Sequence, residues 1–391
     1  MKKQIGILTA TRAEFGLLKP LILRLMEEDF CDAKVLVTGM HLSPAFGNTY
    51  MEIEEAGIPI AEKIECITEG DTPKDITNNM AMAMTGFGNY FSDNKLDLLI
   101  VLGDRYETLA VCIAAMNAEI PIAHIHGGEA TEGMIDEAIR HSITKMSQLH
   151  FASTDIYKNR IIQMGEQPDR VFNVGALAVE NTKNTEFVSR EALGKDLGID
   201  LTGDYAVVTF HPVTLEENSG VEQFDQLIDA MDAFPNMKFI ITKANADAGG
   251  RYINHRIDEY AKKRKNVVAV TSLGVKRYLS AVKESCVVLG NSSSGITEAP
   301  CLRVPTVNIG DRQKGRIMPD SVICCEPKRE AIIKAVKQAV SDDFRKKVKL
   351  MTNPFGTGDT SERITEIIRS AFDNYGNIGV VKNFYDIEVN I

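Results

Sequence analysis

No stretch of this chain approaches the ~18 consecutive apolar residues that a membrane span needs. Behind Met1-Lys2-Lys3 the apolar run lasts only from Ile5 to Ala10 before Arg12 and Glu14 interrupt it. That is too short for a secretory leader and fits a first β-strand. Glycine and proline are sparse, at 29 and 13 of 391 residues, which excludes fibrous and disordered classes. Positive charge is in deficit: 44 Lys and Arg stand against 54 Asp and Glu, a net charge of −10. A nucleic-acid partner is therefore not expected, although a local basic cleft for a small phosphate ligand is compatible with this balance. The seven cysteines form an odd set without a CxxC pair, and some sit in apolar runs such as Val111-Cys112-Ile113. This pattern predicts reduced thiols in a cytoplasmic protein rather than a disulfide scaffold.

What is present is a large apolar fraction, 44%, in a chain long enough for two domains or three. Short β-rich runs alternate with longer segments of helical period. The predicted strands of the first half are Gln4–Thr9, Ala33–Thr38, Leu96–Leu102, Ile120–His126, Leu149–Ala152 and Arg170–Val174; its helices are Phe15–Glu28, Lys74–Asn94, Tyr106–Glu119, Met134–Gln148 and Thr154–Met164. Most of these strands are unbroken apolar runs, as strands buried on both faces are, so the reading is α/β with a parallel sheet under helices. The rhythm loosens over 175–203 and then restarts. The second set has strands at Tyr205–Phe210, Lys238–Thr242, Val267–Val270, Cys286–Leu289, Val304–Asn308 and Val322–Cys324, and helices near Val221–Ala233, Tyr252–Lys263, Gly274–Glu284 and Arg329–Val340. The expected organisation is a domain over 1–175, a second over 176–359, and a tail, 360–391, with one helix (Ser361–Asp373) that packs back on the first. Two such domains facing each other would place a ligand at the C-terminal ends of both sheets, which directs attention to the strand-to-helix loops.

Arg12 lies where strand one meets a helix, a place for an anion; the plainer alternative is a solvated loop arginine. Asp104 and Arg105 follow the most hydrophobic strand; Asp104 either N-caps the next helix or points its charge into the ligand site. His124 and His126 are two apart on one strand. No third metal ligand stands at a recognisable spacing, so the expectation is no metal, with His124 a core histidine and His126 at the strand end. On the next helix Ile135, Ile139, Ile143 and Met146 form the expected buried stripe. Asp136 and Arg140 lie on an adjacent stripe, either as a surface ion pair or as a site carboxylate oriented by its arginine. Glu137 and His141 repeat the spacing.

In the second half His211-Pro212 ends a strand, where a histidine can act as an acid or bind phosphate. Gly290-Asn291-Ser292-Ser293-Ser294-Gly295 opens a helix that contains Glu298. Its small residues let backbone approach a diphosphate, and Glu298 can accept from ribose hydroxyls. It is neither a Walker A loop nor a G-x-S-x-G elbow. Arg312, Lys314 and Arg316 crowd into five residues after a further strand. From spacing alone the site is one for a nucleotide-diphosphate-like ligand.

Together these loops resemble one family. Thr11-Arg12-Ala13-Glu14, Thr38-Gly39-Met40-His41, Leu102 to Glu107, His124 to Glu129, Asp136-Glu137 with Arg140-His141, His211-Pro212, Gly290 to Gly295 and Ile309 to Arg316 are similar to the hydrolysing UDP-N-acetylglucosamine 2-epimerases of bacterial sialic-acid synthesis. The Gly-Asp-Arg and Arg-Gln-Lys-Gly-Arg forms look like the hydrolysing branch. The resemblance covers residues 1 to about 370. It implies a GT-B-like fold, two Rossmann-like domains with parallel sheets facing across a cleft, and a homodimer or homotetramer. It implies conversion of UDP-GlcNAc and water to N-acetylmannosamine and UDP with no nicotinamide cofactor. The implied course is anti elimination of UDP to 2-acetamidoglucal, then hydration.

By position Asp104, His126, Asp136 and His211 match the family's catalytic places. Arg12, His41, Arg105, Glu129, Arg140, Asn291, Ser292, Ser293, Glu298, Arg312, Gln313 and Arg316 match places around the UDP-sugar. The chain departs from many relatives in carrying histidine at 126 where they have glutamate. Three alternatives are the same reaction on UDP-2,4-diacetamido-2,4,6-trideoxyglucose, a GT-B glycosyltransferase and a non-catalytic sugar-nucleotide sensor.

Overall fold

Leu98-Leu99-Ile100-Val101-Leu102 is buried along its whole length because it forms the middle of a sheet covered on both faces. Its odd and even residues feed two separate cores. Leu98, Ile100 and Leu102 pack with Ile5, Ile7, Val35 and Val37, while Leu99 and Val101 pack with Leu8 and Leu36 on the other side. This is the period-2 alternation of a strand read in three dimensions. The computed structural model describes residues 2–387 except 69, 71, 132–134, 212–218, 244–249 and 272.

The chain divides into two units, Met1–Asn181 with Phe355–Ile391, and Thr182–Pro354. Against the 175/176 and 359/360 divisions expected from sequence, these boundaries fall about five residues away. In order, the first unit contains β1 (Lys3–Thr9), α1 (Arg12–Glu27), β2 (Cys31–Thr38), α2 (Tyr50–Glu55), β3 (Ile60–Ile64), α3 (Pro73–Asp93), β4 (Leu98–Leu102), α4 (Tyr106–Asn117), β5 (Ile122–Ile125), α5 (Ile135–Met146), β6 (Leu149–Ala152), α6 (Asp155–Gln163) and β7 (Val171–Asn173). α7 (Leu177–Asn184) runs over the boundary. The second unit continues with α8 (Arg190–Leu197), β8 (Tyr205–Thr209), α9 (Ser219–Met231), β9 (Lys238–Thr242), α10 (Gly250–Lys262), β10 (Val267–Val270), α11 (Gly274–Glu284), β11 (Val287–Gly290), α12 (Ser294–Cys301), β12 (Thr306–Ile309), β13 (Val322–Cys325), α13 (Arg329–Ala339) and α14 (Asp342–Leu350). Then α15 (Thr360–Tyr375) rejoins the first unit.

Both sheets are parallel. The first has strand order β3-β2-β1-β4-β5-β6-β7 and the second β10-β9-β8-β11-β12-β13. In each the order reverses once, between β1 and β4 and between β8 and β11. Loops leaving the C-terminal ends of such neighbouring strands diverge to opposite faces and leave a crevice, the usual ligand position in this architecture. α1 and α15 cover the same face of the first sheet: Phe15, Leu18, Leu21 and Ile22 meet Ile364, Ile368 and Phe372 in one core. Arg24 adds a 3.1 Å ion pair to Glu362.

The structure corrects several sequence expectations. β3 is a further strand; its alternating Ile60-Ala61-Glu62-Lys63-Ile64 sits half-buried at a sheet edge, so it lacks the continuous apolar signature used to find the others. The segment 175–203 holds two helices, α7 and α8, and α14 was also missed, being strongly polar. Ile135 is not part of the α5 stripe; it is 78% exposed, whereas Ile139 and Ile143 are buried. The start of the predicted helix at Met134 lies outside the described residues.

Candidate active site

At the first switch point the chain leaves β1 through Thr11, whose hydroxyl caps α1 by accepting from the Glu14 amide. Glu14 answers by accepting from the amides of Ala10 (2.8 Å) and Thr11 (3.1 Å). Burial raises this carboxyl to about 7, against the pull of nearby Arg105. Arg12, the first residue of α1, is 59% exposed and stands 3.8 Å from Glu52.

Across the switch point β4 ends at Gly103, whose φ of +76° is a left-handed turn that favours glycine. Asp104 does not cap α4; that position belongs to Arg105, which makes no side-chain cap. Instead Asp104 accepts a hydrogen bond from Arg140. Arg140 is 2% exposed and also donates to Glu137 (2.8 Å), Thr131 Oγ1 (3.0 Å) and the Glu129 carbonyl (3.0 Å). The expected i,i+4 pairing of Asp136 with Arg140 is thus replaced by Asp104 and Glu137. Asp136, one turn earlier on α5, is partly buried with Asp104 beside it. Burial first, and then the Asp104 charge, raise its proton affinity above the ordinary aspartate range.

β5 ends at Ile125, and His126 follows with a left-handed φ of +64°. The reversal separates it from His124. His124 is fully buried, bonds Thr144 Oγ1 (3.1 Å) and the Gly103 carbonyl (2.8 Å), and burial drives it down to about 3, so it is neutral. His126 Nδ1 lies 3.9 Å from Glu129 Oε1, and Ser153 Oγ donates to the same oxygen at 3.1 Å.

Two of the expected site residues have partners within the first unit. His41 is fully buried between Thr9 Oγ1 (3.0 Å) and Thr49 Oγ1 (2.8 Å), and burial lowers it to about 4. Arg105 is held by Glu107 through two hydrogen bonds, 3.1 and 2.8 Å. Sequence reading had left Glu107 without a role, though it lies two residues beyond Arg105 and is fully buried. Thr131, Thr144 and Ser153 were also missed; hydroxyl residues carry no sequence signal until their partners are known.

The second switch point is held by buried amides, with Arg312, Arg316 and Glu298 around them. Asn291 is 1% exposed; its amide oxygen accepts from the His211 N–H (2.7 Å) and its amide nitrogen donates to the His211 carbonyl (2.8 Å). It therefore fixes the strand end at His211. Its own carbonyl accepts from Gln313 (2.8 Å), also 2% exposed, and from Arg312 (3.2 Å). Gly290 precedes it at φ +129°, where a side chain would collide with the Thr209 carbonyl. Ser292 and Ser293 are partly exposed and lead into α12, with Ser293 at its N-cap. Glu298, one turn in, accepts from the Thr297 hydroxyl, and burial raises its carboxyl despite Arg316 nearby. Pro212 lies outside the described residues.

Among the described residues no group of three or more His, Cys, Asp or Glu side chains is placed to hold a metal ion, and no helix is long and apolar enough to cross a membrane.

The chain as a whole is similar to known proteins. The chain is 39% identical to the polysialic acid biosynthesis protein P7 of Escherichia coli, over 98% of both chains. It is 41% identical to a protein of Campylobacter jejuni named GDP/UDP-N,N'-diacetylbacillosamine 2-epimerase (hydrolyzing), over 83% of this chain and 85% of that one. Its fold matches the crystal structure of UDP-GlcNAc 2-epimerase from Neisseria meningitidis bound to UDP-GlcNAc, with a TM-score of 0.81 at 20% identity over 94% of this chain and all of that one. The profile of the UDP-N-acetylglucosamine 2-epimerase family matches residues 24–369, nearly the whole span from α1 to α15. With two parallel sheets carrying their polar loops at both reversals of strand order, the chain belongs to the UDP-N-acetylglucosamine 2-epimerase family.

Proposed function

We propose that this enzyme is a hydrolysing 2-epimerase that converts UDP-GlcNAc and water to N-acetylmannosamine and UDP. The observation that carries the reading is the Asp104–Arg140–Asp136 cluster at the first switch point, beside His126 and Glu129. Inverting C2 with loss of UDP needs a base for the C2 proton, an acid to return one on the opposite face, and donors for the departing diphosphate.

Asp136 is assigned the C2 proton. Its raised proton affinity is what a carboxylate base needs near neutral pH. Burial raises it first, and Asp104, fixed by Arg140, adds its charge. His126, with Glu129 beside its Nδ1, is assigned the return of a proton to C2 as water adds at C1. His211 is assigned to the diphosphate. Arg12, Ser292, Ser293, Arg312 and Arg316 are assigned to UDP, and Glu298 to its ribose.

Proton and phosphorus NMR of the protein with UDP-GlcNAc in D2O tests this reading. The expected products are UDP and N-acetylmannosamine carrying deuterium at C2. UDP-ManNAc without free UDP would place the protein in the non-hydrolysing branch. The name of the Campylobacter relative supports a second reading, the same reaction on UDP-2,4-diacetamido-2,4,6-trideoxyglucose. Parallel assays with both sugar nucleotides decide between them by kcat/KM.

A further inference from the structure

The first unit contains a second buried charge cluster, away from the one assigned to chemistry. Glu166 is 3% exposed and receives three donors: Lys145 Nζ (2.5 Å), Lys382 Nζ (2.7 Å) and His150 Nε2 (3.1 Å). Burial alone would raise its carboxyl; these hydrogen bonds outweigh burial and hold it at about 2, so it stays an anion. Lys382 comes from the segment after α15. That segment is held by further contacts: Lys382 donates to the Ser147 carbonyl (2.7 Å), the Tyr385 amide to the Gly165 carbonyl (2.8 Å), and Gln148 to the Val380 carbonyl (3.3 Å).

Lys145 and Ser147 lie at the C-terminal end of α5, whose N-terminal end bears Asp136 and Arg140. At 1.5 Å per residue a helix of this length is a rod of about 18 Å. It is pinned at three levels: Arg140 to Asp104, Thr144 to His124, and Lys145 to Glu166. His124 and His150 are register partners on β5 and β6, and His124 also holds the Gly103 carbonyl next to Asp104. Polar contacts on α5, together with the β5–β6 register, therefore link the C-terminal segment to the loop that presents Asp104.

We propose that Lys382 is a positioning residue for catalysis: by completing the Glu166 cluster it fixes α5, and through α5 the placement of Asp136 and Asp104. This inference rests on the proposed function for its catalytic half only. Positional errors near 1 Å at reacting groups cost up to about 100-fold in rate, so loss of one of several anchors is expected to cost about tenfold.

The test compares the full chain with Lys382→Met, Lys382→Arg and a chain ending at Gly379. In Lys382→Met and the shortened chain, amide exchange over 135–146 rises. kcat for UDP release falls about tenfold, while KM and the calorimetric Kd for UDP stay within about twofold. Lys382→Arg restores both exchange and kcat. Unchanged exchange over 135–146 would overturn the anchor. Raised exchange with unchanged kcat would overturn its catalytic role, as would an equal loss of kcat and UDP affinity without rescue by arginine. Absence of UDP release by the unaltered protein from either sugar nucleotide would sink the functional reading and the catalytic half with it, and the exchange data would still decide the anchor.

Discussion

The two switch points occupy equivalent places in two similar sheets, yet they are made of different materials. At the first, Asp104, Glu137 and the Glu129 carbonyl hold one buried guanidinium, His126 stands beside Glu129, and burial with the Asp104 charge pushes Asp136 toward its proton. At the second, Asn291 and Gln313 lock the loop from inside with neutral amides, and its serines stand partly open. Titratable groups held close together shift one another's proton affinities, which suits proton transfer. Buried amides joined by an arginine hold one geometry over the working pH range, which suits holding a diphosphate that must leave unchanged. The difference teaches that one topology accommodates both tasks, and that a carboxylate-rich loop set separates the first from the amide-locked second.

The comparison breaks hardest at Asp136. Asp136→Asn is expected to lower kcat about 10³-fold, within the usual range for a general base, with UDP affinity by calorimetry unaltered. Arg140→Met leaves Asp104 and Glu137 without their buried partner. It is expected to cost about 3–5 kcal/mol in urea-unfolding free energy, whereas no single neutral residue of the second switch point should cost as much. Asn291→Ala strands two backbone groups of His211; about 1–3 kcal/mol of stability is expected to go, together with UDP affinity, whereas Ser292→Ala should weaken UDP with little change in unfolding.

A further test sharpens the comparison through pH. The Glu14 carboxyl titrates near 7 in the folded chain against an ordinary 4.5. A raised folded value means that its stabilising share is full below 4.5 and is lost as pH climbs through 7. Glu14→Gln should therefore gain stability relative to the unaltered protein at pH 8 and not at pH 4.5, read as urea midpoints at both.

Much of this was legible because buried parallel strands announce themselves. Lys238–Thr242 and Val267–Val270 form as the apolar runs predict. What escaped were half-exposed elements: the charged alternation of β3 and the polar α14 look like loops when only apolar runs are counted. At the site, charged residues could be placed at loop mouths, but not their partners. Arg140 was read against Asp136 because four residues separate them on a helix, and only the third dimension brings Asp104, 36 residues away, to the same guanidinium. His41 and Asn291 had ligand-like positions in the chain and turned inward because buried backbone and hydroxyl groups needed them.

The first unit is interrupted by the second, and this has a consequence for synthesis. α15 closes the core over α1, so a ribosome must make all of Thr182–Pro354 before the opening unit can be finished. At ordinary elongation rates that is a wait of about ten seconds or more, during which Phe15, Leu18 and Ile22 lack their covering helix. The unit written first is completed last, and the early apolar face of α1 is the part of the nascent chain most in need of a chaperone.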